Sequence, residues 1–468
     1  MFEKQVYVER RNRLRQLVGN GLIFIPGNFD SPMNYRDNPY PFRQDSTFLY
    51  LYGIDRPGMF GVIDANEGVD YLFGDNPDID DIIWMGPQPS MKELGALAGV
   101  ENTFPFNELF GKVNKCLWKG CRTHFLLPYR AKTKLLLKNL LGIHTAKLKD
   151  YVSQELIKAL VEMRSVKEDL EIAEMERACE TGYKMHMKAM TMAQPGNMER
   201  QLAGMLEGIA FSYGAGTSFP TILTQNGQTL HNHDHSLTLT QGRLLLVDAG
   251  AESHEHYASD FTRTFPVGGK FSGKQLDIYN VVVRANDTAA ALIKPGITFL
   301  EVHLSVARVI ASGLMDLGLM KGNLDDAVQN GAHALFFPHG IGHMLGLDAH
   351  DMENYGQIHV GFDNEIKPSA QFGTSALRLG RRLQKGFVVT DEPGIYFIPA
   401  LIHKWESEGI NREYINFPKV HEYIGFGGIR LEDDILVMDK GCRVLGKRLP
   451  IYPDEIESLI QNKIEVDY

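Results

Sequence analysis

Four acidic residues and a histidine-rich stretch are the parts of this sequence best suited to chemistry. Each acid adjoins an apolar, strand-like run, and the histidines share a glycine-rich segment; they are Asp248, Asp260, Glu392 and Glu432, with His339, His343 and His350. Carboxylates gathered without partners repel one another and take up protons. Two divalent cations would offset that repulsion, and two-metal sites of this kind are used for hydrolysis.

The types of ligand bear on which metal would be held. A set rich in carboxylates with one imidazole is harder than a usual zinc set, which favours manganese and leaves iron, cobalt and zinc open. The predicted cofactors are therefore two divalent metal ions, with Mn²⁺ favoured.

Each of these residues also has an ordinary explanation when it is taken alone. Aspartate at the end of a strand is usually a turn or cap residue, and Glu392 stands directly before Pro393-Gly394, which is typical of a turn. Glu432 belongs to the run Arg-Leu-Glu-Asp-Asp, which alone indicates a solvated surface. A shared site is the better interpretation because the surrounding pattern is repeated.

The acids occur in two stretches that follow the same plan. Pro195-Gly196 and Pro295-Gly296 each open a helical run, and the two pairs lie 100 residues apart. Each run leads to a glycine, an apolar strand and an acid six residues after that glycine: Gly242 to Asp248, and Gly386 to Glu392. This repeat predicts two α/β halves, related by a pseudo-twofold axis, that pool their acids where they meet.

The residues before this repeat predict a smaller α/β domain of their own. Tyr7 to Val18 has the pattern of a charged helix, and residues 21–26 and 59–64 have the pattern of strands. A long helix follows, for which Ser165 and Glu168 predict a capping box at the start. The predicted domains are residues 1–155 and 160–468.

Composition excludes several classes of partner. The formal net charge of −10 argues against nucleic acid, which usually binds a basic face. No window approaches the roughly 18 uninterrupted apolar residues of a membrane span. Four cysteines do not predict a disulfide framework, and the charged N-terminal residues do not resemble a signal peptide. These features predict a soluble, cytoplasmic protein.

Five segments of the second domain together resemble a known family. Their sequences and their order are similar to those of the proline-specific metallopeptidases, aminopeptidase P and prolidase, which share the α+β "pita-bread" fold: Asp248-Ala-Gly, Ser259-Asp-Phe-Thr-Arg-Thr-Phe-Pro, His339-Gly-Ile-Gly-His343, Glu392-Pro-Gly-Ile-Tyr and Gly428-Ile-Arg-Leu-Glu432. The first domain is similar to the creatinase-like N-terminal domain of that family through residues 40–50 and Ile83-Trp84.

The resemblance implies a dinuclear metal centre. Its ligands would be Asp248, Asp260, His343, Glu392 and Glu432, with Asp260 and Glu432 bridging the two ions. A hydroxide held between the ions would attack the carbonyl group before a proline in the second position of a peptide. Glu392 would take a proton and pass it to the leaving nitrogen.

The resemblance also implies roles for residues around that centre. His231 and His350 match histidines that stabilise the tetrahedral intermediate, and His339 and Arg430 match residues that line the substrate pocket. Trp84 matches a tryptophan that reaches the site of a neighbouring subunit, although a core aromatic is an equal alternative. A homodimer or homotetramer is expected on the same grounds.

Three functions fit these motifs. Arg378 lies where prolidase has an arginine for the free carboxylate of an Xaa-Pro dipeptide, which favours a dipeptidase. The segments around Asp248 and Asp260 are more similar to aminopeptidase P, which releases the first residue of longer Xaa-Pro peptides, and this is the prediction that we favour. An inactive peptide-binding domain is the third possibility, and the five intact metal ligands argue against it.

Overall fold

The computed structural model describes residues 1–462 and divides into two compact units. The first comprises residues Met1–Arg164 and Asn354–His359, and the second comprises Ser165–Glu353 and the residues from Val360 onward. The last six residues of the predicted second domain lie outside the described part. The predicted domain bounds, 1–155 and 160–468, remain a prediction.

The strands are short and spread over both units. In chain order they are β1 Leu22–Pro26, β2 Phe60–Asp64, β3 Val69–Phe73, β4 Asn102–Phe104, β5 Thr123–His124, β6 Gly216–Thr217, β7 Ile222–Thr224, β8 Leu244–Ala249, β9 Ala251–Glu252, β10 Phe261–Pro266, β11 Val388–Asp391, β12 Gly394–Tyr396, β13 Gly428–Arg430, β14 Asp433–Val437 and β15 Cys442–Val444.

Helices occur in both units. In chain order they are α1 Lys4–Val18, α2 Ser46–Tyr52, α3 Ile79–Met85, α4 Met91–Ala98, α5 Leu109–Leu117, α6 Ala131–Leu141, α7 Gln154–Ser165, α8 Asp169–Met192, α9 Glu199–Tyr213, α10 Gly273–Leu292, α11 Phe299–Asp316, α12 Leu324–Gln329, α13 Gln357–Val360, α14 Pro399–Glu408, α15 Phe417–His421 and α16 Pro453–Asn462. No helix among residues 1–462 combines the length and the apolar character that crossing a membrane requires.

The first unit is built on one mixed sheet with the strand order β4-β3-β2-β1-β5. Strand β1, next to the edge strand β5, pairs antiparallel with β2 and parallel with β5. Its apolar residues, among them Phe24, pack with Phe60 of β2 and Phe73 of β3 in a buried core. The α/β character predicted for these residues is therefore present.

Two local predictions about the cysteines and the long helix are wrong. Cys116 and Cys121 form a disulfide, although the four cysteines did not predict a disulfide framework. Ser165 is the last residue of α7 and does not cap α8. The amide of Lys167 donates to the carbonyl of Gly386 at 2.8 Å, outside any helix. The capping box of α8 is formed instead by Glu168 and Glu171, three residues further along the chain.

The second unit contains two copies of one arrangement, in which a glycine turn is followed by a helix. Gly196 and Gly296 both have φ of 92°, and their amides donate to Leu239 at 3.0 Å and to Leu383 at 2.9 Å. Helix α9 follows the first glycine and α11 follows the second. Because φ values in this range strain any residue with a Cβ, the repeated glycines are explained by the turns that they make.

Each repeat then supplies an antiparallel pair of strands. In the first, β8 pairs with β10; in the second, β11 pairs with β14. A bridge between Thr262 of β10 and Glu432 joins the two pairs. All residues of these four strands are buried, so the acids at their ends are held at one place inside the unit.

Candidate metal centre

The first repeat places two aspartates at the junction. Asp248 is the second-last residue of β8 and lies opposite Thr262 of β10, while Asp260 directly precedes β10. Both are buried. The amide of Asp260 donates to the Oδ2 atom of Asp434 at 3.0 Å, which fixes the backbone from which its carboxylate projects.

The second repeat places two glutamates there. Glu392 follows β11, and Glu432 lies between β13 and β14. The amide of Glu432 donates to the carbonyl of Thr262 at 3.0 Å, and its Oε2 atom accepts from the Thr262 hydroxyl at 2.7 Å. The two halves of the repeat therefore fix the position of this carboxylate jointly.

His343 reaches the cluster from the glycine-rich segment. Its amide donates to the Thr390 hydroxyl at 3.2 Å, and Thr390 donates its own amide to the His343 carbonyl at 3.0 Å. The Nδ1 atom lies 3.0 Å from the carbonyl of Met344 and donates to it. Such a bond leaves Nε2 unprotonated as a ligand atom, and Nε2 lies 3.6 Å from Oδ2 of Asp260.

These side chains fit a divalent cation. One ligand atom from each of Asp260, His343 and Glu432 lies within 4.8 Å of the others. Burial, and then repulsion from Glu432 and Asp248, raises the pKa of Asp260; burial, and then repulsion from Glu392 and Asp248, raises the pKa of Glu432. A cation would relieve both effects, because it favours the ionised carboxylates.

Glu392 and Asp248 place two further carboxylates beside these three, on the same cavity. Burial raises the pKa of Glu392 to about 7. The Oδ1 atom of Asp248 is buried and has no hydrogen-bond partner among residues 1–462. A buried carboxylate oxygen without a donor is costly unless a ligand satisfies it. The carboxylate-rich donor set and this free oxygen together fit a hard divalent cation.

A hydrogen-bonded chain runs along the other side of the cluster. Arg430 donates to Oδ2 of Asp248 at 2.5 Å, to the Tyr396 hydroxyl at 3.0 Å and to the Thr262 hydroxyl at 3.1 Å. The Tyr396 hydroxyl also lies 2.8 Å from Nε2 of His339. Burial lowers the pKa of His339 to about 3 and raises that of Tyr396 to about 12, so both side chains are neutral near pH 7.

A cavity of about 310 Å³ opens onto these groups. Ten of the predicted site residues line it: His231, Asp248, Asp260, His339, His343, His350, Arg378, Glu392, Arg430 and Glu432. Trp84 does not, because it lies in the first unit on α3 with 82% of its surface exposed. It is not the core aromatic that the sequence left open.

Three residues that hold the site were not predicted. Thr262 and Tyr396 lie within the motifs that carry the resemblance, but nothing in their spacing indicates a side-chain role. Glu353 accepts a hydrogen bond from His350 at 2.6 Å and forms an ion pair with Arg378. A lone acid in a glycine-rich and asparagine-rich segment gives no signal, because its partners are set by how that segment folds.

A duplicated α/β scaffold that gathers four carboxylates and an imidazole around one cavity defines a metal-dependent hydrolase. The family model described as "Metallopeptidase family M24" matches residues 173–439. A second model, described as "Aminopeptidase P, N-terminal domain", matches residues 7–123. The chain belongs to this metallopeptidase family.

Named relatives agree over nearly the whole chain. The Xaa-Pro aminopeptidase of Escherichia coli K12 is 32% identical over 474 residues, which covers 98% of each chain. Zinc-substituted E. coli aminopeptidase P in complex with product has a TM-score of 0.79 at 28% identity, with full coverage of both chains. The E. coli enzyme with the inhibitor Pro-Leu gives 0.79 at 29%, with 99% of both chains covered.

The predicted family and fold class are thereby confirmed. Both parts of the fold prediction match: an N-terminal domain of the aminopeptidase P type and a pita-bread catalytic domain. The prediction that the chain is an enzyme of the hydrolase class is confirmed by the same relatives.

Proposed function

We propose that this chain is a metal-dependent aminopeptidase that releases the first residue of peptides with proline in the second position. The observation that carries this proposal is the convergence of five ligand residues on one cavity in a chain 32% identical to an Xaa-Pro aminopeptidase over 98% of both lengths. The relatives do not favour the dipeptidase or the inactive peptide-binding alternative.

The metal site would be filled by two divalent ions. Asp248, Asp260, His343, Glu392 and Glu432 would hold them, and Mn²⁺ is the ion that we propose for the cell. When bound, the ions supply a nucleophile of lowered pKa and polarise the carbonyl group of the substrate. Elemental analysis of protein purified without added metal, with anomalous scattering from crystals, tests the choice of Mn²⁺; bound zinc alone would contradict it.

Glu392 would transfer the proton that the reaction requires. Its carboxylate lines the cavity beside the other acids. A carboxylate within reach of the reacting groups can accept a proton and then donate it. Glu392 would therefore pass a proton to the nitrogen of the departing proline.

Two histidines would stabilise the negative oxygen of the tetrahedral intermediate. His231 and His350 line the same cavity as the acid cluster. The ring of His350 lies 4.0 Å from that of His343, centroid to centroid, which keeps it beside the ligand set. Preorganised donors of this kind typically lower a barrier by about 3–4 kcal/mol each.

Apolar residues of the cavity lining would receive the substrate. Phe219, Pro220, Ile222 and Leu230 give the cavity an apolar surface suited to a proline ring. His339 and Arg430 would orient the substrate and the ligands beside it, because both are fixed by Tyr396. Arg378 would lie where the substrate continues beyond proline.

Peptide hydrolysis tests the proposal directly. The metal-loaded protein is expected to release Xaa from Xaa-Pro-Yaa, and to leave the matched Xaa-Ala-Yaa peptide intact. An Xaa-Pro dipeptide serves as the comparison that separates an aminopeptidase from a dipeptidase. Failure to release Xaa after loading with Mn²⁺, Co²⁺, Zn²⁺ or Fe²⁺ would refute the proposed activity.

We also propose that Trp84 acts across a homodimer or homotetramer. The support is the exposed apolar surface of α3, formed by Ile79, Ile82, Ile83, Trp84 and Met85, none of which is buried. Light scattering on wild type and Trp84→Ala tests this. If the variant assembles and its turnover is unchanged, Trp84 does not act in the site. If the wild-type protein is a monomer, the proposed assembly is wrong.

The cytoplasmic location stays a prediction. The Cys116–Cys121 disulfide argues against this location, because the cytoplasm keeps most thiols reduced. Fractionation of cells, with thiol labelling of the fresh protein, tests the location and the state of these cysteines together.

A further inference from the structure

Glu353 links two residues that line the candidate site, although it does not line the cavity itself. Its Oε2 atom accepts from Nδ1 of His350 at 2.6 Å, and its Oε1 atom forms an ion pair with a guanidinium nitrogen of Arg378. The residue begins a short 3-10 turn, Glu353–Tyr355, that directly follows the histidine motif. One carboxylate therefore joins an imidazole and an arginine on the same wall.

The charges on this wall decide which substrates it favours. Two arginines line the cavity, and Arg430 is already paired with Asp248 at 2.5 Å. Arg378 is the other, and with Glu353 beside it the pair has no net charge. Without that partner, a guanidinium facing the cavity would select a free carboxylate, because arginine binds carboxylates through two parallel hydrogen bonds.

The distinction matters at the position after proline. In an Xaa-Pro dipeptide that position is a carboxylate, and in a longer peptide it is a neutral amide. If Arg378 had no carboxylate partner of its own, a longer peptide would place only a neutral amide beside it. The guanidinium would then lack a counter-charge, which is unfavourable in a partly closed site. A neutralised arginine carries no such preference.

We propose that Glu353 determines specificity by neutralising Arg378, so that the cavity accepts peptides that continue beyond proline and gives no advantage to the free carboxylate of a dipeptide. This inference rests on the proposed aminopeptidase function and extends it. Glu353 is also a positioning residue for His350, because the bond to Nδ1 fixes the ring and directs Nε2 away from the carboxylate.

The local chemistry supports a lasting interaction. The hydrogen bond from His350, together with the nearby positive charge of Arg378, lowers the pKa of Glu353 below its ordinary value. Glu353 is therefore ionised at neutral pH and can hold both partners. Among the contacts of the described residues, Arg378 has no second carboxylate partner.

Substitutions at residue 353 separate the two roles. Glu353→Gln keeps an oxygen that accepts from His350 and removes the charge that pairs with Arg378. Glu353→Ala removes both. The matched control is Glu365→Gln, which breaks the exposed ion pair of Glu365 with Arg382 in the same segment of the chain.

The first measurement is kcat and KM for one Xaa-Pro dipeptide and the matching Xaa-Pro-Yaa peptide. In Glu353→Gln we expect KM for the dipeptide to fall about tenfold relative to the tripeptide, from one new pair between Arg378 and a carboxylate. Glu353→Gln with Arg378→Met should lose this gain, and Glu365→Gln should resemble wild type. In Glu353→Ala, kcat should fall for both peptides as His350 loses its partner.

Binding provides a readout that does not need turnover. The affinity of the metal-free protein for free proline, measured by calorimetry, should rise about tenfold in Glu353→Gln and return to the wild-type value when Arg378→Met is added. If affinity and the ratio of KM values are both unchanged in Glu353→Gln, Glu353 does not determine specificity.

The two proposals can fail separately. A wild-type protein that cleaves no Xaa-Pro peptide, while the proline affinities change as expected, refutes the aminopeptidase and leaves the pairing of Glu353 with Arg378 standing. A wild-type protein that cleaves Xaa-Pro-Yaa, with no change of preference in Glu353→Gln, refutes only the role of Glu353.

Discussion

The two sides of the cavity satisfy their buried charges in different ways. On the paired side, formed by Asp248, Arg430, Tyr396 and His339, hydrogen bonds link the four side chains, and Arg430 donates to three oxygens. On the acidic side, formed by Asp260, His343, Glu392 and Glu432, carboxylates face carboxylates. Burial and mutual repulsion raise the pKa values of Asp260 and Glu432 there.

The difference shows which part of the site is complete as folded. The paired side has its own counter-charge and keeps its geometry without a ligand. The acidic side places like charges together, which costs free energy that a cation would return. Asp248 belongs to both, because Oδ2 accepts from Arg430 while Oδ1 has no partner within residues 1–462.

Removing a carboxylate from the acidic side should have the largest effect on activity. Asp260→Ala is expected to lower kcat/KM for Xaa-Pro-Yaa by at least about 10³-fold, because the centre loses an oxygen ligand that no neighbour replaces. Metal content measured on the same preparation should fall with activity. The control is Asp439→Asn, an exposed aspartate that pairs with Lys385, and full turnover in Asp260→Ala would disprove the two-metal site.

The second change removes the counter-charge of the paired side. Arg430→Met should lower the free energy of unfolding of the metal-free protein by about 3–5 kcal/mol, since Asp248 becomes a buried charge without a partner. The loss should be smaller with metal bound, because cations then satisfy Asp248. Denaturant unfolding with and without Mn²⁺ measures this. Arg382→Met, which breaks an exposed ion pair, should change stability by less than about 1 kcal/mol.

An equal loss with and without Mn²⁺ would mean that Arg430 acts only through packing. The two sides of the cavity would then not differ in the way described.

The third change tests the cost of the acidic side through pH. The pKa of Glu392 is raised from 4.5 to about 7 by burial, so the folded state holds a proton that the unfolded state releases. The contribution of this bound proton to the free energy of unfolding is complete below pH 4.5, declines as pH rises and is lost above pH 7. Metal-free Glu392→Gln, which cannot ionise, should therefore be more stable than wild type at pH 8 by up to about 3 kcal/mol.

At pH 4.5 the two proteins should unfold with similar free energies. Thermal or denaturant unfolding across pH 4.5–8 gives the difference directly. A constant difference over that range would show that repulsion and burial do not act on Glu392 as described.

The sequence predicted the residues of the acidic side but few of the residues that orient them. Glycines six residues before Asp248 and Glu392 indicated where the two strands begin, and the structure has both glycines at positive φ just before β8 and β11. Such signals are local, so sequence spacing conveys them. The donors to Asp248 and Glu432 come from residues about 170–180 positions away, and no local pattern records a contact of that range.

The same limit explains the failed local predictions. Ser165 and Glu168 have the spacing of a capping box, but a hydrogen bond between Lys167 and Gly386 takes that stretch out of the helix. Glu353 gave no signal because its partner Arg378 is 25 residues away in an irregular segment. Tertiary contacts decide such positions, and local propensity is only a weak guide there.

Thr262 gives the smallest of these effects and the sharpest test of how the two sides are joined. Its hydroxyl donates to Glu432 at 2.7 Å on the acidic side and accepts from Arg430 at 3.1 Å on the paired side. Thr262→Val keeps the shape and removes both bonds. Metal affinity should fall about tenfold, because residues that orient ligands typically contribute factors of 10–100, while Thr262→Ser should stay close to wild type. An unchanged affinity in Thr262→Val would mean that the strand bridge alone fixes Glu432.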